Sequence, residues 1–281
     1  KPRFHLYGGL HHCPFHFVEE YLSYLESYTK DGKLYTNREE GKARKLSSLK
    51  SFYDYYFKKN LIRTNPPRQV DVPKIKNKNI IRLDPNEIAQ LLDEAESGEK
   101  LSGRQLASHE KTKVRDVAIL TLLLGTGIRV SECVGLNLED VDFNNGAIRI
   151  IRKGGNEALI YFGDEVSQAL EAYMNGPRKT AEPAAGHEEA LFISLNKTRI
   201  TTRSVEQLVK KYSRLVTTVK KITPHKLRST FGTALYQETG DIYLVADTLG
   251  HKDVNTTKKH YAAIDEHRRR MAANVVKLRE S

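Results

Sequence analysis

Apolar residues recur at helical spacing along most of this chain. Over residues 15–28, Phe17, Val18, Tyr21, Leu22, Tyr24, Leu25 and Tyr28 fall three and four apart, which predicts an amphipathic helix ended by Asp31-Gly32. A second helical pattern covers residues 36–59, as one helix or as two with a break. Leu46, Leu49, Phe52, Tyr53, Tyr56 and Phe57 line its apolar side, and Arg38, Lys42, Arg44, Lys45 and Lys50 its polar side. Asn65-Pro66-Pro67 then removes backbone donors, and the polar, basic stretch to residue 79 contains Pro73, so the region reads as an interdomain linker.

Asp84-Pro85-Asn86-Glu87 carries the signature of a helix start: Asp84 caps, Pro85 suits the first position, and Glu87 completes a capping box. Residues 97–113 are polar and aperiodic, an interruption before a buried helix over 114–124 that Gly125-Thr126-Gly127 stops. Two short runs, 147–151 and 157–162, flank Lys153-Gly154-Gly155 and predict a β-hairpin. Further helices are expected over 164–175, 202–216, 223–238, 242–249 and 265–278, with a flexible surface loop over 176–186. The fold class is mainly α with a small antiparallel β-sheet. We place a helical domain at 1–72, a linker at 73–79, and a larger, mixed but mostly helical domain at 80–281.

Charge narrows the partner. The 281 residues hold 46 Lys plus Arg against 35 Asp plus Glu, a net charge of +11, which favours a polyanion such as nucleic acid. No run approaches the ~18 apolar residues of a membrane span. Only Cys13 and Cys133 occur, which argues against a disulfide framework, and no secretory signal pattern precedes the domains. A reducing cytosolic compartment is expected, and a first residue of Lys rather than Met is expected of a fragment. His11, His12, Cys13 and His16 cluster in sequence but lack the spaced, paired ligands of structural zinc, so no metal is assigned.

One hexapeptide stands out chemically. Thr223-Pro224-His225-Lys226-Leu227-Arg228 joins a Thr cap and a first-position proline to a His and an Arg three apart, which leave one face of the first turn. Backbone N–H groups at a helix start favour phosphate, and Arg228 adds a fork for two of its oxygens. By itself the hexapeptide fits a capping His225 and an ion-paired Arg228 equally well.

The boxes GTGIRVSE, RKGGNE between two strands, TPHKLR and LGHKD, with Tyr261 ten residues after His251, occur in that order over residues 80–278. Together they resemble the tyrosine recombinase and integrase family. Residues 15–65 resemble that family's helical core-binding domain more loosely. The resemblance implies an active site of Arg129, Lys153, His225, Arg228, His251 and Tyr261, with Glu132 orienting the basic groups. Tyr261 would attack a phosphodiester to leave a 3′-phosphotyrosyl link. Arg129 and Arg228 would neutralise the phosphate, Lys153 would protonate the leaving 5′-oxygen, His225 would serve as base, and His251 would hydrogen-bond the phosphate. His260 is read as a neighbour of Tyr261. Tyr236 and Tyr243, within helical patterns, are read as packing residues.

The resemblance further implies a site-specific recombinase that exchanges strands through a Holliday junction, as a homo-tetramer on paired double-stranded DNA sites. It needs no cofactor, no metal, no ATP and no membrane. Accessory DNA-bending or directionality proteins would be further partners, and the enzyme would be cytoplasmic and nucleoid-associated. Lys42, Arg44, Lys45 and Lys50 are candidate DNA contacts on the first domain, and Arg199, Thr202, Arg203 and Gln207 on the second. Type IB topoisomerase-like relaxation, or DNA-binding regulation without catalysis, are the alternatives.

Overall fold

In the computed structural model, which describes residues 15–75, 81–152, 154–251, 254 and 257, the first apolar stripe forms helix α1 (Phe15–Glu26) with Val18 and Leu25 buried. The helix stops two residues short of Tyr28. Asp31 and Gly32 take positive φ (51° and 73°) and turn the chain into an antiparallel hairpin of β1 (Ser27–Lys30) and β2 (Lys33–Thr36). Tyr28 faces Tyr35 across the pair and stacks with it at 5.4 Å, while Tyr24 stacks on Tyr28 at 5.2 Å. Of the apolar residues read as helical, only Tyr28 falls outside α1, where it forms an aromatic ladder with Tyr24 and Tyr35.

Helix α2 (Glu39–Lys58) is unbroken and starts three residues later than expected. The short helix α3 (Pro66–Gln69) buries Pro66 and Pro67, and Val70 joins Val18 and Leu46 in the core of this unit. Residues 65–70 therefore pack within the first unit. The chain divides into two units, Lys1–Lys78 and Asn79–Ser281.

The second unit opens with helix α4 (Pro85–Ser97), where Asp84 Oδ1 accepts from the Glu87 N–H and Glu87 Oε2 from the Asp84 N–H, both at 2.9 Å. That bond from the Glu87 amide holds the Asp84 carboxyl below its ordinary range. Helix α5 (Gly103–Thr126) overturns the expected polar interruption, since residues 103–113 are its first three turns. Most of them are exposed, Arg104, Gln105, Glu110 and Lys111 included, but two of the polar residues are buried. His109 is fully buried with Nδ1 3.0 Å from the Tyr212 hydroxyl, and Asp116, also buried, accepts from Thr112 Oγ1, Lys211 Nζ and the Tyr212 hydroxyl. Arg115 completes the ring of donors at 2.7 Å.

Helix α6 (Val130–Gly135) follows, then a three-stranded antiparallel sheet in the order β3 (Val141–Asp142), β4 (Ala147–Ile151), β5 (Glu157–Tyr161). Ile150 pairs with Ala158, and Ile148 and Ile160 face the core. Helix α7 (Asp164–Tyr173) lies against α5. The stretch expected as a flexible loop is tied down at its start: Arg178 is buried and donates to the carbonyls of Ala190 and Glu188. Helices α8 (Thr202–Val216), α9 (Pro224–Thr239) and α10 (Ile242–Thr248) complete the described unit. The helix expected over 265–278 lies outside the described residues. Among those described, no helix is long and apolar enough to cross a membrane.

The Asp116 cluster sets a stability test. Asp116→Ala removes the one carboxylate facing Arg115 and Lys211 and leaves buried donors without an acceptor, so unfolding free energy should fall by about 3–5 kcal/mol. Urea titration of the purified chain measures it.

Candidate active site

The C-terminal end of α10 is where the sequence boxes meet. Gly250 takes a left-handed conformation (φ +60°), its N–H donating to Asp247 O at 2.8 Å and that of His251 to Ala246 O at 2.9 Å. This cap turns the chain so that His251 leaves the helix end. His251 Nδ1 shares a 2.6 Å hydrogen bond with Thr257 Oγ1, which fixes the ring.

Arg228 reaches this turn from the second turn of α9. It is 6% exposed, and its guanidinium donates to Leu249 O and, at 2.6 Å, to Gly127 O. It thereby joins the C-terminal ends of α5 and α10, where unsatisfied carbonyls carry partial negative charge. Gly127 is needed there: it has φ +64°, and a Cβ at this position would collide with the ring of Phe231, one turn beyond Arg228.

Arg129 approaches from the N-cap of α6. Its Nη1 donates to Glu132 Oε1 at 2.7 Å, its own N–H to Glu132 Oε2 at 2.7 Å, and its Nη2 to Gly250 O at 3.4 Å. Glu132 is buried, whereas the Arg129 side chain is 39% exposed. Two guanidiniums a hundred residues apart thus converge on consecutive carbonyls of the turn that bears His251, a cationic arrangement suited to an anion. Next to Glu132, burial pushes the Cys133 thiol up to about 12, so that thiol is no nucleophile here.

His225 sits exposed on the first turn of α9, where Pro224 takes the expected early position. The Thr223 hydroxyl makes no capping bond; its carbonyl instead accepts from Lys226 N at 2.8 Å. Lys153, Tyr261 and His260 lie outside the described residues, as do His11, His12 and Cys13. Tyr236 is buried as expected, but Tyr243 is 70% exposed and so is not a packing residue.

Two expected DNA contacts are engaged within the protein. Lys42 is buried, its Nζ between Glu26 at 2.7 Å and Glu39 at 2.8 Å, and those carboxylates raise its pKa. Arg199 donates to Val134 O, Leu136 O and Asn137 Oδ1 at 2.5–3.1 Å, bracing the chain after α6. Sequence periodicity cannot separate such cations from solvated ones. Arg44 is exposed, Lys50 is half-buried, and Lys45 lies over the Tyr28 ring at 5.5 Å. Thr202, Arg203 and Gln207 are exposed on α8. Arg203 and Gln207 line a groove of about 830 Å³ with Lys210, Arg214, Lys220 and Lys221. Missed altogether was Arg152, whose Nη2 donates to Thr248 O at 3.2 Å and Asp247 O at 3.5 Å. Its place beside Lys153 in the RKGGNE box was the available signal.

The model of the phage integrase family matches residues 81–268. The chain is 36% identical over 218 residues to the tyrosine recombinase XerC of Thermodesulfovibrio yellowstonii, covering 77% of this chain and 69% of that protein. Its fold is similar to that of the XerH site-specific recombinase bound to a palindromic difH substrate, with a TM-score of 0.69 and 21% identity over 95% of this chain and 73% of that one. The Tn1549 transposon integrase in complex with circular intermediate DNA gives a TM-score of 0.67 at 23% identity, covering 92% and 85%.

Arg228→Ala should cost about 2–5 kcal/mol of unfolding free energy, because it leaves buried carbonyls at two helix ends without a donor. Arg228→Lys, with one compact head in place of a fork, should recover only part of this. Urea unfolding of the three proteins without DNA reads the ranking.

Proposed function

The chain belongs to the phage integrase family and is a tyrosine site-specific recombinase, and from that premise we propose which of its residues perform each step. The observation that carries the assignment is the convergence of Arg129 and Arg228 on the carbonyls of Leu249 and Gly250, beside His251. Tyr261 attacks the scissile phosphorus and forms the tyrosyl P–O bond, giving its proton to His225. Arg129 and Arg228 hold the non-bridging oxygens, with His251 as a further donor. The P–O bond to the 5′-oxygen breaks as Lys153 passes it a proton. The 3′-phosphotyrosyl link keeps the energy of the diester, so a 5′-hydroxyl reseals it without ATP.

Glu132 has a mechanical part in this reading. By accepting from both the backbone and the side chain of Arg129, it fixes the guanidinium plane. The Gly250 bond, at 3.4 Å, is the weak one and yields to a phosphate oxygen. Arg203 and Gln207 contact DNA along the basic groove beside α8, and Arg44, Lys45 and Lys50 contact phosphates from the first unit. The Arg203–Glu206 pair, at 3.3 Å and exposed, is no obstacle, since such pairs contribute about 0.2–1 kcal/mol. The enzyme works as a homo-tetramer on two paired sites and exchanges strands through a Holliday junction, with accessory DNA-bending or directionality proteins as further partners.

Incubation of the chain with its native flanking DNA, followed by detergent recovery of covalent complexes and sequencing, maps the cleavage site. On a nicked duplex built from that site, wild type should accumulate a detergent-resistant complex, and Tyr261→Phe should form none while binding the duplex as tightly. Exposed Tyr243 makes Tyr243→Phe the informative control, expected to cleave normally. Covalent complex in Tyr261→Phe would assign the attack elsewhere. Cleavage should also persist in EDTA, because the phosphate charge is met by guanidinium and imidazole groups; loss restored by added divalent metal would reject that account.

A further inference from the structure

Arg152 follows directly on β4 and has no part in the chemistry above. Its backbone closes the hairpin, its N–H donating to Asn156 O at 2.8 Å and its carbonyl accepting from Gly155 N at 3.0 Å. Its side chain leaves the hairpin and lies against the end of α10. Nη2 donates to the carbonyls of Thr248 and Asp247, and the guanidinium covers Gly250 so closely that a Cβ there would stand 2.5 Å from Cζ. Gly250 is favoured by its φ of +60°, and any side chain there would displace the Arg152 guanidinium. Among the described residues Nε is buried without a hydrogen-bond partner, so the side chain holds this place despite an unmet donor. That cost is tolerated where a contact serves position.

We propose that Arg152 is a positioning residue for protonation of the leaving 5′-oxygen: its guanidinium latches the β4–β5 hairpin to the C-terminal turn of α10, so hairpin and turn keep one register. The inference rests on the reading of Lys153 as the general acid. Lys153 is the next residue in the chain. The acceptors of Arg152 are in the same turn whose next two carbonyls accept from Arg228 and Arg129. One turn thus references the hairpin to both phosphate-binding arginines. Releasing the latch leaves those arginines in place and frees only the hairpin, so the defect falls on proton delivery and not on charge stabilisation.

The test uses the full chain, the mapped site as duplex, and the same duplex with sulfur replacing the bridging 5′-oxygen, whose departure hardly needs a proton. Arg152→Ala should slow cleavage of the oxygen substrate by about tenfold or more, yet stay within about threefold of wild type on sulfur, as expected of lost general-acid catalysis. DNA affinity should be unchanged. Added to Lys153→Ala, which should itself be rescued by sulfur, the Arg152→Ala change should slow the oxygen substrate no further, as expected for two residues acting in one step. Normal cleavage by Arg152→Ala, or an equal defect on both substrates while Lys153→Ala is rescued, would overturn the latch alone; the latter outcome covers a merely folding-impaired variant. Equal defects of Lys153→Ala on both substrates would overturn the general-acid reading and the latch with it.

Discussion

Four successive carbonyls, from Asp247 to Gly250, hold the second unit's chemistry together. They end a seven-residue helix, and three guanidiniums from three other elements donate to them: Arg152 after β4, Arg228 on α9 and Arg129 before α6. A helix C-terminus exposes carbonyls with partial negative charge, and guanidinium is the side chain best shaped to bridge several of them. The turn can serve because Gly250 lets the chain reverse in a left-handed cap and adds no side chain where Arg152 lies. Segments up to 121 residues apart in sequence are joined there by hydrogen bonds to the backbone.

The two arginines of the proposed phosphate site carry different structural loads. Arg228 is buried and bonded to two helix ends, so its orientation is part of the fold. Arg129 is partly exposed and is oriented by a buried carboxylate instead, with a long bond to Gly250 O. An electrostatic site works when its dipoles are already aimed before the charge develops. Here one guanidinium is aimed by the core and the other by Glu132, so neither must be ordered by the substrate.

Much of this was legible because the local signals agree with the fold. The Asp84-Pro85-Asn86-Glu87 cap, the 147–151 and 157–162 strands and the 202–216 helix all lie close to where patterning puts them. What was misread shares a physical cause. Residues 103–113 look like an interruption because polar residues occupy both sides of the helix: Arg104, Gln105, Glu110 and Lys111 are exposed, while His109 and Thr112 are buried on a network around Asp116. Periodicity treats polar as exposed and so cannot see a polar core. Lys42, Arg178 and Arg199 are the same error in single residues: cations whose partners are distant carboxylates or carbonyls. Tyr28 misleads differently: four residues after Tyr24 it fits the same helix, until Asp31-Gly32 is read as a hairpin turn that sets it opposite Tyr35.

Of the three arginines at the α10 terminus, substrate would displace them unequally. A phosphate oxygen bears charge and a peptide carbonyl does not, so a guanidinium prefers the phosphate by the difference between a doubly and a singly charge-assisted hydrogen bond. That preference acts most readily on the long Arg129 bond, at 3.4 Å, and least on the 2.6 Å bond from Arg228 to Gly127 O, which is buried and closes a helix end. Arg152 lies against Gly250 with its Nε enclosed. Gly250 O, once released by Arg129, still belongs to a turn fixed by Arg228 and Arg152. In the proposed reaction, phosphate entry would therefore exchange one acceptor without unfastening the turn, and His251 would keep its place as the charge arrives.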